Sequence, residues 1–276
     1  MLSRITPLIL TYNEEANIGR TVDKLDWAKT VIVVDSGSTD ATLSILSGFP
    51  NVQVFQRPFD NHASQWNWGL RECGIVTDWV LALDADYVLS EALISEIGSL
   101  VPRDSTSAYQ ASFRYCIAGK PLRGSLYPPV SVLYRREHAS YIQDGHTQRL
   151  RVTGAVARLV GLIDHDDRKP LERWFAAQMR YARLEVDLLW SRPMPALSWP
   201  DRLRRWHVLM PMLVVPYCML VKRCALDGWI GFFYTLQRTL AETILSLMLL
   251  ERRIASRSSR SPEVERDDRA PERNAP

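Results

Sequence analysis

The chain reads as an α/β protein: a mainly parallel sheet flanked by helices, followed by a C-terminal helical extension suited to a membrane surface. Three observations carry that reading. Short apolar runs alternate with helical stretches over residues 5–86. Polar clusters close the apolar runs after Leu10, after Val34 and after Leu83. Beyond residue 167 the chain becomes basic, tryptophan-rich and strongly apolar in long runs. Short apolar strands that alternate with helices are covered on both faces, which calls for parallel pairing with helical crossovers.

Taken in order, Ile5–Leu10 is the first strand. The segment Met1–Leu10 has one arginine, is too short for a secretory signal and lacks a cleavage site, so it is expected to be structural. Thr11-Tyr12-Asn13-Glu14-Glu15 follows, then a helix over about Asn17–Leu25. Thr30–Val34 is a β-branched second strand, ended abruptly by Asp35-Ser36-Gly37-Ser38-Thr39-Asp40. A helix over Ala41–Leu46 follows, with Thr39 or Asp40 as its N-cap. Val52–Phe55 is a third strand, Asn61–Cys73 a helix, and Trp79–Leu83 a fourth strand ending at Asp84-Ala85-Asp86.

From Leu171 the pattern is helical until Pro193, Pro195 and Pro200 break it. Val208–Val221 is apolar, but at about 1.5 Å per residue it falls short of a ~30 Å hydrocarbon core. Trp229–Leu250 is long enough, yet Gln237, Arg238 and Glu242 interrupt it at one-turn spacing. Helices that lie in the interface or re-enter it fit better than clean spans. Arg252–Pro276 is rich in Arg, Ser, Glu and Pro and is expected to be disordered.

Composition narrows the classes. Of 276 residues, 46% are hydrophobic and 24% charged, which argues against a disordered, collagen-like or polytopic membrane chain. The net charge of +3 gives no reason to expect nucleic acid as a partner. Residues 1–167 carry a net −4 and residues 168–250 a net +6, and the second segment holds five of the nine tryptophans. Basic side chains beside tryptophan and apolar runs are what an anionic membrane surface selects. Cys73, Cys116, Cys218 and Cys224 show no C-x-x-C spacing and are expected to be reduced, buried thiols.

In such sheets a ligand sits beyond the carboxyl ends of the strands. No G-x-G-x-x-G follows the first strand, and no G-x-x-x-x-G-K-[ST] occurs anywhere. The strand ends are instead acidic and amide-rich, so a diphosphate requires a divalent cation between it and the carboxylates. Asp84 and Asp86, one residue apart at a strand end, suit Mg²⁺ or Mn²⁺ through hard oxygen ligands. Asp35 or Glu15 would then be free to hydrogen-bond a ribose or base.

Leu10-Thr11-Tyr12-Asn13-Glu14-Glu15, Val33-Val34-Asp35-Ser36-Gly37-Ser38-Thr39-Asp40 and Leu83-Asp84-Ala85-Asp86, in that order and spacing, resemble the inverting family 2 glycosyltransferases of GT-A fold. The T-x-N-E-E and L-D-A-D forms are most similar to bacterial β-1,4-glucosyltransferases of lipopolysaccharide cores. The resemblance covers roughly residues 5–166. It implies a Rossmann-like catalytic domain over 1–166; the charge, tryptophan and apolar pattern beyond it is expected to make a helical, membrane-interacting region over 167–250 and a tail over 251–276. By position it implies that Thr11, Tyr12 and Glu15 line the nucleoside pocket and that Asp35 contacts the uracil or ribose. Asp84 would lie near the ribose and diphosphate, and Asp86 would ligate the metal. Asn67 matches an Asn that follows an Arg in many relatives; here Trp66 stands in place of the Arg. The Q-x-x-R-W motif of processive synthases is absent, which points to a single transfer per encounter.

Inversion by direct displacement needs a carboxylate that takes the acceptor's proton. Asp144, in Tyr141-Ile142-Gln143-Asp144-Gly145-His146, is the expected base, with His146 second. His165, in Asp164-His165-Asp166-Asp167-Arg168-Lys169, matches a downstream His that completes the metal site in several GT-A enzymes. Asp166 and Asp167 alternatively open a helix, favoured by its macrodipole. The resemblance implies a nucleotide-sugar donor, UDP-linked by preference, and a lipid-linked or glycan acceptor in bacterial envelope glycan synthesis. It implies work at the cytoplasmic face of the inner membrane. The competing class is a non-catalytic sugar-nucleotide binder or membrane scaffold that keeps the fold.

Overall fold

The computed structural model describes residues 1–144 and 147–258, apart from the side chains of Asp144, Thr147, Arg257 and Ser258. The expected alternation comes first: β1 (Ile5–Thr11), α1 (Ile18–Asp23), β2 (Val31–Asp35), α2 (Thr42–Leu46), β3 (Val52–Gln56), α3 (His62–Glu72) and β4 (Trp79–Asp84). It then gives way to β5 (Tyr87–Leu89), α4 (Glu91–Ser99), β6 (Thr106–Ile117), β7 (Lys120–Pro121), β8 (Val130–Arg135), β9 (Ala139–Asp144), β10 (Thr147–Val152) and β11 (Ala155–His165). Four helices end the described chain: α5 (Leu171–Ser191), α6 (Trp199–Arg204), α7 (Leu209–Pro216) and α8 (Gly228–Ser258).

In space the main sheet runs β3-β2-β1-β4-β8-β6-β11-β5, with β7 on β6. Strands β1 to β4 are mutually parallel, β8 runs antiparallel between β4 and β6, and β11 lies parallel to β6. The chain steps outward from β1 to β3 and then returns to the other side of β1 to place β4. That reversal makes the β1/β4 junction a topological switch point, the place where open sheets of this kind hold their ligands beyond the carboxyl ends.

Strand alternation divides the core between the two faces. Ile9, Val33, Leu81 and Leu83 point with Ile18 and Val22 of α1 into one cluster. Leu8, Val34, Val80 and Ala82 point with Trp66 and Leu70 of α3 into the other. Each fully buried large aliphatic side chain contributes about 1.5–3 kcal/mol, so this half of the molecule is rigidly held. A Cβ on Gly69 would come within 3.0 Å of Leu8, which shows how closely α3 approaches β1.

The helical region packs through Ala182, Val186 and Leu189 of α5 against Leu245 and Leu249 of α8. Arg204 forks onto Glu242 at 2.7 and 3.1 Å, so the acid that interrupts the apolar pattern of α8 is paired. Two expectations are corrected. The cap of α2 is Ala41 rather than Thr39 or Asp40, although the Asp40 carboxylate still accepts from the Thr42 N–H at 3.0 Å. The tail expected from residue 251 is helical through Ser258. Arg252 holds those last turns to α5, pairing with Asp187 at 2.5 Å and lying over the Trp190 ring at 5.3 Å. Residues 259–276 of the expected tail lie outside the described residues.

Among the described residues no single helix is long and apolar enough to cross a membrane, but Leu209–Val221 and Cys224–Ser256 qualify together as a pair bent by 68°. All four cysteines are free and buried.

Candidate active site

The parallel register brings the polar strand ends side by side. Thr11 pairs with Asp35 across β1 and β2, and Leu10 pairs with Asp84 across β1 and β4. Three segments that are far apart in sequence therefore meet at the switch point. The Thr11 hydroxyl is buried without a hydrogen-bond partner among the described residues. Next to it Tyr12 is 56% exposed.

The two loops beyond β1 and β2 lock onto each other. Asn13 adopts the left-handed conformation (φ 54°), which Asn tolerates better than most residues. Its Oδ1 accepts from the Thr39 N–H at 2.7 Å, and its own N–H donates to Ser38 Oγ at 2.8 Å. Asp35 is fully buried, and its Oδ2 accepts from the N–H groups of Gly37 and Ser38 at 2.9 and 3.0 Å. Glu15 is exposed and turned to α2, where Oε2 accepts from the Ala41 N–H at 3.0 Å. Glu14 is the inward acid, accepting from Lys169 Nζ at 2.6 Å and from Asn17 Nδ2 at 2.8 Å.

Below this edge lies a second acidic cluster. Burial, then the neighbouring Asp86 charge, pushes the Asp84 carboxyl up to about 6. Burial disfavours the Asp86 anion as well, but His165 and Lys169 outweigh it and hold Asp86 below the usual carboxylate range. His165 Nε2 sits 3.2 Å from Asp86 Oδ2. Burial opposes the charged imidazole, and Asp86, Asp84 and Asp167 reverse that effect, raising His165 above its ordinary value. Tyr87, Tyr115 and Tyr127 close around the ring edge-to-face at 5.3, 4.9 and 4.5 Å, and His165 Nδ1 is buried with no partner among the described residues.

His165 meets Asp86 because the end of β11 pairs antiparallel with β5, His165 opposite Tyr87. The residues after it are stapled to α1 and the first loop. Arg20 donates to Asp166 Oδ2 at 2.7 Å and to Asn17 Oδ1 at 2.8 Å, and Asn17 donates to Asp167 Oδ1 at 3.0 Å. Asp166 and Asp167 thus stand ahead of α5 as a docking strap, not inside its first turn.

Asn67, expected at the donor, uses both halves of its amide on the backbone of Tyr141, donating to the carbonyl at 2.8 Å and accepting from the N–H at 2.9 Å. Trp66 stacks on the Tyr141 ring at 5.3 Å. These contacts hold β9, whose last residue is Asp144; the Asp144 side chain and the whole of His146 lie outside the described residues. Glu14, Asn17, Arg20, Lys169 and the tyrosine cage are given no role by the sequence alone. Glu14 lies in the first polar cluster and Lys169 in the charged run from Asp164, but nothing local marks Asn17, Arg20 or the three tyrosines. Among the described residues no group of three or more His, Cys, Asp or Glu side chains is arranged to hold a metal alone. Asp86 and His165, with Asp84 beside them, offer oxygen and nitrogen donors at one point.

The family described as Glycosyl transferase family 2 matches residues 8–168. An uncharacterized glycosyltransferase of Rickettsia typhi is 31% identical over 147 residues, 51% of this chain and 49% of that protein. The lipopolysaccharide core biosynthesis glycosyltransferase LpsC of Rhizobium meliloti is 29% identical over 138 residues, 48% of each chain. The chain spans about half the length of the curated relatives it matches. S. aureus TarS 1-349 in complex with UDP-GlcNAc covers 91% of this chain and 92% of its own at a TM-score of 0.48 and 12% identity, too distant a likeness to bear on what this chain binds.

Proposed function

Because the chain belongs to glycosyl transferase family 2, we propose that it moves a sugar from a nucleotide-diphosphate sugar, UDP-linked by preference, to a saccharide or lipid-linked acceptor. The transfer inverts the anomeric centre, depends on Mg²⁺ or Mn²⁺, and serves bacterial envelope glycan synthesis at the cytoplasmic face of the inner membrane. The observation that carries the reading is the register that joins Thr11, Asp35 and Asp84 at the switch point, with the Asp86–His165 contact alongside. The lipopolysaccharide-core name of the Rhizobium relative supports the glycan class of acceptor.

In this reading the nucleoside lies against Thr11 and Tyr12, whose free hydroxyl and exposed ring supply a hydrogen bond and a stacking face. Asp35 and Glu15 shape that pocket by holding the turn and the start of α2. Asp84 is the acid nearest the ribose and diphosphate. Asp86 and His165 fit a divalent cation by the chemistry of their donors. Such ions take one or two carboxylates and complete their shell with substrate phosphate and water, so a third protein ligand is not required. When bound, the cation supplies the positive charge that stabilises the departing diphosphate. Lys169, held by Glu14, adds a fixed positive charge on the same side.

Asp144 is the base: its carboxylate takes the acceptor's hydroxyl proton while the hydroxyl oxygen bonds the anomeric carbon and the diphosphate leaves from the opposite face. Asn67 and Trp66 act through β9, holding its end in place. His146 is the rival base.

The test is a panel of nucleotide sugars with and without Mn²⁺ or Mg²⁺, read by nucleotide release and by thermal protection. One donor class should raise Tm only with the cation present, by the equivalent of about 2.7 kcal/mol at a hundredfold excess over Kd. The same donor should release its nucleotide when a glycan acceptor is added. Cation-dependent protection with no release from any donor would identify a non-catalytic binder instead.

A further inference from the structure

The geometry points to a docking surface for an anionic lipid bilayer on the elbow between α7 and α8. Three things build that surface. Pro216, the π-helical turn Tyr217–Val221 and Arg223 in the left-handed conformation (φ 58°) break the helix pair into its 68° bend. The outer side of the elbow is apolar and uncovered: Met212, Leu220, Val221, Leu226 and Trp229 are 67, 72, 65, 64 and 85% exposed. Between Val208 and Leu236 the charged residues are Lys222, Arg223 and Asp227. Asp227 is turned inward, 6% exposed and paired with Arg123, so the charge the elbow shows to its surroundings is positive.

A contiguous apolar face of this kind marks a partner or a membrane. The chemistry selects the membrane. Lys222 lies over the Tyr217 ring at 5.7 Å, a cation on an amphipathic aromatic as found at the headgroup level. A second copy of the chain would set the cations of Lys222 and Arg223 against their own kind, whereas anionic headgroups complement them. The bend makes a wedge that enters the interfacial layer without crossing it.

The elbow is also joined to the candidate active site. A Cβ on Gly124 would lie 2.6 Å from the Lys222 carbonyl, the Arg123 N–H donates to Asp227 at 3.0 Å, and the Leu126 N–H donates to Tyr234 of α8 at 2.7 Å. The next residue is Tyr127, part of the cage on His165. The docked elbow therefore holds the mouth of the site at the lipid surface, where a lipid-borne acceptor presents its sugar; this last consequence rests on the function proposed above, while docking does not.

Cosedimentation of the full chain with phosphatidylcholine vesicles, against vesicles that also contain phosphatidylglycerol, tests the proposal. Binding should be confined largely to the anionic vesicles and fall as salt rises. Leu220→Asp and Leu226→Asp, both at exposed positions, should each weaken it about tenfold or more, while Val76→Asp and Val101→Asp, exposed elsewhere at 91 and 89%, should leave it unchanged. Circular dichroism of the four variants confirms that the fold is retained. Equal binding by all four variants, or no binding to either vesicle, overturns the assignment. So does a dimer in solution that the two elbow substitutions dissociate while vesicle binding is absent. Donor protection measured on the same protein without vesicles reports on the enzyme separately, so either reading can fail alone.

Discussion

The switch point of the sheet and the elbow of the helical region are both incomplete, and what each leaves over is of opposite kind. At the switch point the strands are buried to 0% at Leu8, Val33 and Leu81, yet Thr11 Oγ1 and His165 Nδ1 have no partner among the described residues. At the elbow the acid Asp227 is paired with Arg123, while Leu220 and Trp229 are left exposed. Leaving a buried polar atom unpaired costs about 1–3 kcal/mol, and leaving large apolar side chains in water forfeits a similar sum for each. A polar deficit is met by a polar ligand and an apolar deficit by an apolar phase. The two regions thus announce different partners, and substitution should separate them.

The largest expected effect is at the acid cluster. Asp86→Ala should slow transfer by on the order of a thousandfold or more, roughly 4 kcal/mol, and weaken donor binding even with abundant Mn²⁺, without loss of fold. Near-normal turnover in steady-state assays would remove Asp86 from the site. Next, Asp144→Asn should cost about a few hundredfold in rate with donor affinity unchanged, because the base faces the acceptor. Equal losses of affinity and rate would make Asp144 part of the nucleotide pocket, and His146→Ala alone losing rate would make the imidazole the base.

On the other side of the comparison, Arg204→Ala leaves Glu242 buried without its fork. It should lower stability by about 3 kcal/mol in denaturant titration while donor protection of the folded protein persists. If donor protection vanished with it, the helical region would not be separable from the site.

The smallest effect concerns Asp40, whose carboxyl lies below the ordinary range. Burial works against this, and the Thr42 hydroxyl and N–H with the Glu15 N–H outweigh it. A depressed carboxylate contributes its stability above the unfolded value of about 3.9 and loses it as pH falls through the folded one. Asp40→Asn should therefore destabilise by about 1 kcal/mol near neutrality, and the gap to wild type should close below about pH 4. A gap constant with pH would mean that the charge is not its source.

Much of the first half was legible because its signals are local. A strand buried on both faces announces itself by an unbroken apolar run, and its end by the polar residue that terminates it, so β1, β2 and β4 and the polar ends at Thr11, Asp35 and Asp84 were readable in place; β3, a half-exposed edge strand, showed instead by its alternating β-branched and aromatic residues. The mixed half from β5 to β11 was not, because antiparallel insertion of β8 and the pairing of β5 with β11 depend on partners far along the chain. Which acid turns inward was equally hidden. Glu14 and Glu15 are neighbours of one type, and a single step around the loop sends Glu14 to Lys169 and Glu15 to α2. Asn67 has a donor's chemistry, but the approach of β9 takes both of its amide groups.

The sequence by itself determined the alternating architecture, the site's edge at the strand ends and the family. The architecture and the site's edge follow from period and polarity within short windows, and the family from the resemblance carried by the linked motifs at Leu10–Glu15, Val33–Asp40 and Leu83–Asp86. The tertiary structure decided that His165 meets Asp86 across 79 residues, that three tyrosines enclose it, and that the apolar run ending at Val221 buries Val214 and Cys218 while Met212, Leu220 and Val221 stay exposed. Each of these depends on which surfaces touch once the chain has closed. Contact between distant segments is set by sheet register and helix bend, and neither quantity is written in any one stretch of residues.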